Sequence, residues 1–226
     1  HTFENGLANV LDHVHIGNIQ CKSPNFLGLD RWLGTLDEGT KAYLKDFGAA
    51  TASNGAVGLY HVEGITPEAI QQGRELLVEE PNVYIIDDAE LKRVYDSYPV
   101  IWKKKEARPK LCFMGCPHMS LDQLTQWTEK IEQGLKEAGK ERVAIPTVFT
   151  AAPAVLKKFE ETPYASRLRK AGVVISYICP LMYMNNPLSA SMPVITSSNK
   201  LRTYTSARYY TDEEILEQIT KGGSAS

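Results

Sequence analysis

The sequence predicts an α/β fold, a mostly parallel sheet with helices on both faces, and three observations carry that reading. Short apolar runs at 56–61 (AVGLYH), 111–114 (LCFM) and 173–178 (VVISYI) have the length and composition of buried strands. Segments of helical spacing alternate with them, as in Leu121, Leu124, Trp127, Ile131 and Leu135. Helix starts follow strand ends within a few residues: Thr66-Pro67-Glu68 offers an N-cap, a Pro at the first helical position and an acid in the first turn. Repeated strand–helix units of this kind build parallel sheets covered on both sides.

Composition bounds the function. A net charge of −2 with 23% charged residues lacks the basic footprint that nucleic acid or an anionic membrane requires. The expected partner is a small molecule or another protein, with no nucleic acid and no membrane. The four cysteines, at 21, 112, 116 and 179, include no CxxC pair, which points to a reducing compartment rather than a disulfide scaffold. With no apolar run of roughly 18 residues and no signal pattern, a cytoplasmic location is expected. The chain begins at His1, without a Met or a cap signal, as expected of one piece of a larger protein.

In chain order, residues 9–16 alternate weakly as a strand with His13 and His15 on one face, either solvated or, with a third ligand, metal-binding. Residues 21–34 are rich in turn formers and read as a loop, with Cys21 a loop thiol. Residues 37–52 bring Tyr43, Leu44 and Phe47 to one helical side and lead into the strand at 56–61. That strand ends at His61. Ligands of open parallel sheets bind beyond the C-terminal strand ends, which makes His61 a candidate substrate-binding residue; the alternative is a strand-end histidine bonded to backbone. Residues 82–86 (NVYII) read as another strand, Asp87-Asp88 caps a helix reaching about Tyr98, and 103–108 is a solvated connector.

The rest of the chain is arranged around residues 110–123, KLCFMGCPHMSLDQ. An apolar strand stops at Gly115, passes through Cys116-Pro117-His118 and enters a helix at the capping box of Ser120 and Gln123. A thiol at such a helix entry meets backbone N–H groups and the helix dipole, which favour the thiolate. Cys116 is therefore a candidate metal ligand or nucleophile, set against inert packing, which suits Cys112 better. Residues 142–149 form a strand that Pro146 demotes to an edge or a bulge. Thr150-Ala151-Ala152-Pro153 opens one helix, and Thr162-Pro163 opens another that Gly172 closes. The strand at 173–178 runs into Cys179-Pro180, a second strand-end cysteine, and LMYM at 181–184 is expected to wall a pocket. Residues 192–196 form a last strand before Ser197-Ser198-Asn199-Lys200, and Thr211 with Glu214 boxes a terminal helix that Gly222 ends. Cys116, Cys179 and the 197–200 loop then share one rim of the sheet.

Five stretches, SNGAVGLYHVEGITPEA (53–69), GCPHMSLDQL (115–124), TAAPAV (150–155), SYIC (176–179) and ITSSNKLRTY (195–204), resemble in this order large-subunit segments of the aconitase X family. That family includes cis-3-hydroxy-L-proline dehydratase and phosphomevalonate dehydratase. The resemblance implies aconitase-like α/β/α layers, with 1–40 an extension or the remainder of another domain, 41–222 one α/β domain, and 223–226 a disordered tail. It implies hydro-lyase chemistry at an iron–sulfur cluster or mononuclear iron. The metal acts as a Lewis acid on the leaving hydroxyl while a base takes a proton next to a carboxylate. Carried over residue by residue, Cys116 and Cys179 match metal-ligand cysteines. Ser198 and Lys200 match the serine and lysine of a TNSGK-like loop, the serine as an alkoxide base and the lysine to stabilise it or hold a substrate carboxylate. His118, Ser197 and Thr150 beside these motifs join His61 as expected substrate-binding residues. A third cysteine ligand, an N-terminal half and a small swivelling subunit or domain are implied to lie outside this chain. Three positions depart from the family pattern: Ser197 stands where asparagine is usual, Asn199 where glycine is, and Ala152 where serine is. Two other readings stand beside this one. The chain is a non-catalytic α/β remnant without metal, or a cysteine-nucleophile enzyme using Cys116 and His118, which their i, i+2 spacing across a proline disfavours.

Overall fold

The structure, a computed structural model, describes residues 23–81 and 83–222. The strand expected at 9–16 with His13 and His15, the Cys21 thiol and the tail at 223–226 lie outside the described residues. The chain divides into two compact units, one ending at Ser97 and the other beginning at Tyr98. This division cuts through the domain expected over 41–222. The reason is in the packing: the apolar side chains before Ser97 gather around their own centre of Phe26, Leu29, Phe47, Ala50, Val62 and Ile65.

In the first unit, β1 (Asn25–Phe26) pairs in parallel with β2 (His61–Val62), opposing Asn25 to His61. The segment expected to be loop at 21–34 thus holds a strand and a short helix, α1 (Asp30–Leu33). Helix α2 (Glu38–Gly55) starts at Asp37, whose carboxylate accepts the Thr40 N–H at 2.8 Å. It runs further than its periodicity indicated and ends at Ala56 in the left-handed region, which shortens the strand expected at 56–61 to two residues. Phe47 holds the centre edge-on between Phe26 and Tyr60, each with ring centroids 4.9 Å away. Helix α3 (Pro67–Gln72) follows Thr66, and α4 (Asp88–Asp96) is capped by Asp87 through the Glu90 N–H at 2.8 Å. Residues 83–86 form no strand: Val83 and Ile85 are exposed, and among the described residues no strand lies beside them to complete a ladder.

The second unit is an all-parallel five-stranded sheet in the order β5-β4-β3-β6-β7. The strands are β3 (Leu111–Met119), β4 (Thr147–Ala151), β5 (Val173–Ser176), β6 (Val194–Thr196) and β7 (Arg208–Tyr209). Side chains alternate across a strand, so Cys112 and Met114 enter one core while Leu111 and Phe113 enter the other. The first core lies under α5 (Leu121–Glu137), α6 (Pro153–Glu160), α7 (Pro163–Lys170) and α10 (Asp212–Lys221). The second lies under α8 (Pro180–Met184) and α9 (Asn199–Tyr204). Helices therefore cover both faces. The capping boxes Ser120/Gln123 and Thr211/Glu214 both form with both reciprocal bonds. Pro146 lies just before β4, not within it, and its carbonyl accepts the Cys112 N–H at 2.9 Å; β4 is an interior strand rather than the edge its proline suggested. No helix of the described residues is long and apolar enough to cross a membrane.

Candidate functional site

The strand order reverses at β3. From there the chain winds one way through β4 and β5 and then returns to lay β6 and β7 on the other side. Ligands of open α/β sheets bind at such a switch point, outside the carboxyl ends of the two strands where the order turns. Those ends are Gly115-Cys116-Pro117-His118 on β3 and Ser197-Ser198-Asn199-Lys200 after β6.

Cys116 does not lie at a helix N-terminus, as its spacing suggested. Strand β3 continues to Met119 through a bulge, because its register to β4 jumps between Met114 and Met119. Gly115 makes the bulge possible. Its φ is +103°, and a Cβ there would stand 2.3 Å from the Thr150 carbonyl oxygen and 2.4 Å from Thr150 Oγ1. By strict alternation Cys116 would join Cys112 and Met114. It packs instead with Phe113, Met184 and Leu201 in the other core, 8% exposed. The bulge re-aims the thiol. Thr150 Oγ1 donates to the Gly115 carbonyl at 2.9 Å and to that of Met114 at 3.2 Å. Its fully buried hydroxyl clamps β3 to β4.

The loop after β6 holds the same corner. Ser198 Oγ donates to the Cys116 carbonyl and accepts the Leu201 N–H at 3.0 Å, capping α9. Ser197 Oγ donates to Met114 Sδ at 3.6 Å. Lys200 is half-buried in the first turn of α9, a turn without an acid, and His118 is half-buried on β3. His61 lies in the other unit, on β2, 6% exposed; neither its Nδ1 nor Oδ1 of the opposing Asn25 has a hydrogen-bond partner among the described residues.

Cys179 is the N-cap of α8, three residues past the end of β5, so the strand expected to reach 178 stops at Ser176. The LMYM segment forms α8 and turns Met184 into the core, with Tyr183 edge-on to Phe113 at 5.1 Å. The row Met114–Phe149–Ile175 crosses the sheet from β3 to β5, a lateral separation of roughly 10 Å at two strand spacings. Cys112, Cys116 and Cys179 form no disulfide among the described residues. Burial pushes the Cys112 thiol far up, which suits packing and not ligation. Among the described residues no three of His, Cys, Asp and Glu converge on a metal position. Iron–sulfur clusters are held by several cysteine thiolates, so Cys116 and Cys179 fit such a group only as part of a ligand shell.

Arg202 was not singled out by the sequence, and Asn199 only as a departure from the family pattern. Arg202 Nε donates to Asn199 Oδ1 at 2.8 Å, and its guanidinium lies 4.0 Å over the Tyr98 ring. Their i, i+3 spacing on one helix was the available signal.

Comparisons with known proteins bear on the fold and the family. A phosphomevalonate dehydratase large subunit from Methanosarcina mazei is 33% identical over 165 residues, covering 73% of this chain and 36% of that protein. One from Thermococcus kodakarensis is 34% identical over 113 residues, 50% of this chain and 26% of that protein. The crystal structure of Thermococcus kodakaraensis aconitase X in its holo-form superposes with a TM-score of 0.70 at 25% identity, over 95% of this chain and 52% of that one. The chain thus spans about half of that structure and about a quarter to a third of these curated relatives. Residues 14–96 match the aconitase X second domain and residues 109–218 the aconitase X third domain, and with both in sequence order the chain belongs to the aconitase X family.

Proposed function

We propose that this chain is part of the large subunit of a dehydratase that eliminates water from a small hydroxy-carboxylate, with phosphomevalonate the favoured substrate over cis-3-hydroxy-L-proline. The observation that carries the reading is the meeting of Cys116 and Ser198 at the switch point of the sheet, in a chain whose curated relatives above are phosphomevalonate dehydratase large subunits. Because those relatives are large subunits, activity is expected of the complete large subunit joined to a small subunit.

Cys116 and Cys179 would hold an iron–sulfur cluster or iron together with a cysteine from elsewhere in the enzyme. Such a group supplies Lewis acidity toward the leaving hydroxyl. The residues of this chain do the rest. Ser198 is the proposed base for the proton next to the carboxylate, acting as an alkoxide once its own proton, donated to the Cys116 carbonyl in this structure, has passed to solvent. Its oxygen already accepts the Leu201 N–H, a donor of the kind that stabilises an alkoxide. Lys200 supplies positive charge for a substrate carboxylate, and Ser197 and His118 line the same corner. Thr150 acts through Gly115, holding the bulge that presents Cys116. His61, buried on β2, is a further proposed substrate-binding residue.

The test is steady-state dehydration of phosphomevalonate and of cis-3-hydroxy-L-proline by the full-length large subunit with its small subunit, with iron measured after anaerobic purification. Turnover of phosphomevalonate by an iron-bearing enzyme is the expected result. An iron-free protein that turns over neither substrate would make it a non-catalytic relative.

A further inference from the structure

Asn199 holds a polar group that the chemistry above leaves unanswered. The residue is 6% exposed. Its Oδ1 accepts Arg202 Nε at 2.8 Å, and a guanidinium can only donate, so the amide orientation is fixed by chemistry: oxygen toward Arg202, Nδ2 away from it. Nδ2 offers two N–H donors and has no acceptor among the described residues. Buried donors in native proteins are almost always bonded, so one without a partner marks the place of a missing acceptor.

The surroundings define that acceptor. Asn199 follows Ser198, whose hydroxyl binds the Cys116 carbonyl, so the residue opens α9 beside the corner where the strand order reverses. Lys200 and Arg202 flank it on α9, and the first turn of that helix carries no acid. Arg202 is held over the Tyr98 ring and so keeps the amide turned. An oxygen that meets two N–H donors among cations is best an anionic one. We propose that Asn199 Nδ2 donates to a carboxylate or phosphate oxygen of the bound substrate and so helps to set substrate affinity. The inference rests on the dehydratase reading above.

Asn199→Asp tests it in the full-length large subunit with its small subunit. A carboxylate keeps an acceptor facing Arg202 while deleting the donor, so a purely structural role predicts an unchanged enzyme. The expected result is a KM for phosphomevalonate raised about tenfold to a hundredfold, the worth of a hydrogen bond to a charged group, with kcat altered far less. A KM within about twofold of the wild type overturns the proposal. Should Asn199→Asp not fold, Asn199→Gly removes the same donor without burying a charge, and the same rise and the same limit apply. If the wild type does not dehydrate phosphomevalonate, the substrate reading fails and Asn199 is judged by calorimetric binding of inorganic phosphate and of malonate. Binding of either anion that Asn199→Asp weakens by about tenfold or more sustains the proposal. Equal binding by both proteins, or no binding of either anion by the wild type, overturns it.

Discussion

Ser198 Oγ donates to the Cys116 carbonyl, joining the loop after β6 to the bulge of β3 across 82 residues of sequence. The same oxygen accepts the Leu201 N–H and caps α9. One hydroxyl therefore fixes the start of a helix and the backbone of a proposed metal-ligand residue. Ser198→Ala is expected to lower kcat by about 10²–10⁴-fold, the worth of a positioned general base, while iron content stays unchanged. The lost cap should also cost about 0.5–2 kcal/mol of stability. Steady-state kinetics beside thermal melting separates the two effects: a lowered melting temperature with near-equal turnover would leave Ser198 a cap and nothing more.

Cys116 and Cys112 lie four residues apart on one strand and face different cores. Cys116→Ala is expected to lose iron and activity together, because a missing ligand removes the Lewis acid itself. Cys112→Ala should keep its iron and lose only about 1–2 kcal/mol of packing. Metal analysis of the two purified variants checks the pair, and iron lost equally from both would sink the assignment of Cys116.

Much of this architecture was legible in the sequence, and what was not has identifiable causes. The alternation that sends Leu111 and Phe113 one way and Cys112 and Met114 the other follows from the two-residue period of a strand. Both capping boxes were legible because their bonds are local. The side that Cys116 faces was not, because it depends on the contact of Gly115 with Thr150, 35 residues away. Residues 83–86 have strand composition and form none, since strand preference expresses packing against a neighbour, and no strand lies beside them among the described residues. Strands β1, β2 and β7 span two residues each, too few to show a period. Helix α9 was hidden behind the loop reading of 197–200, and the bond between Asn199 and Arg202 with it.

Gly115 should be among the least replaceable residues of the second unit. At φ +103° a side chain is strained, and its Cβ would meet the Thr150 backbone, which cannot step aside without moving β4. Gly115→Ala is expected to destabilise the full-length protein by more than the roughly 1–2 kcal/mol of left-handed strain alone. Iron should fall as well, because the bulge aims Cys116. Melting temperature and iron content read both effects, and a variant that keeps both would contradict the role given to the bulge.

The Glu132–Arg167 pair between α5 and α7 predicts a pH dependence of definite sign. Arg167 Nε donates to Glu132 Oε1 at 2.9 Å and to Oε2 at 3.2 Å, and Nη2 also donates to Oε2. These hydrogen bonds hold the Glu132 carboxyl below its ordinary value, against the smaller opposing effect of burial. A carboxylate favoured in the folded state stabilises fully above the pKa of the unfolded chain, about 4.3, and that contribution fades as pH falls through the lower folded value. Both side chains are more than a third exposed, so solvent screening limits the pair to about 0–1 kcal/mol. Glu132→Gln should therefore melt slightly below the wild type at pH 7. The gap should close as pH falls below about 4, where the wild-type carboxyl is itself protonated, and narrow in high salt. Paired melting curves from pH 3 to 7, a span set around the carboxylate range, decide it: a gap that persists at the acid end would mean that Glu132 contributes through packing and not through charge.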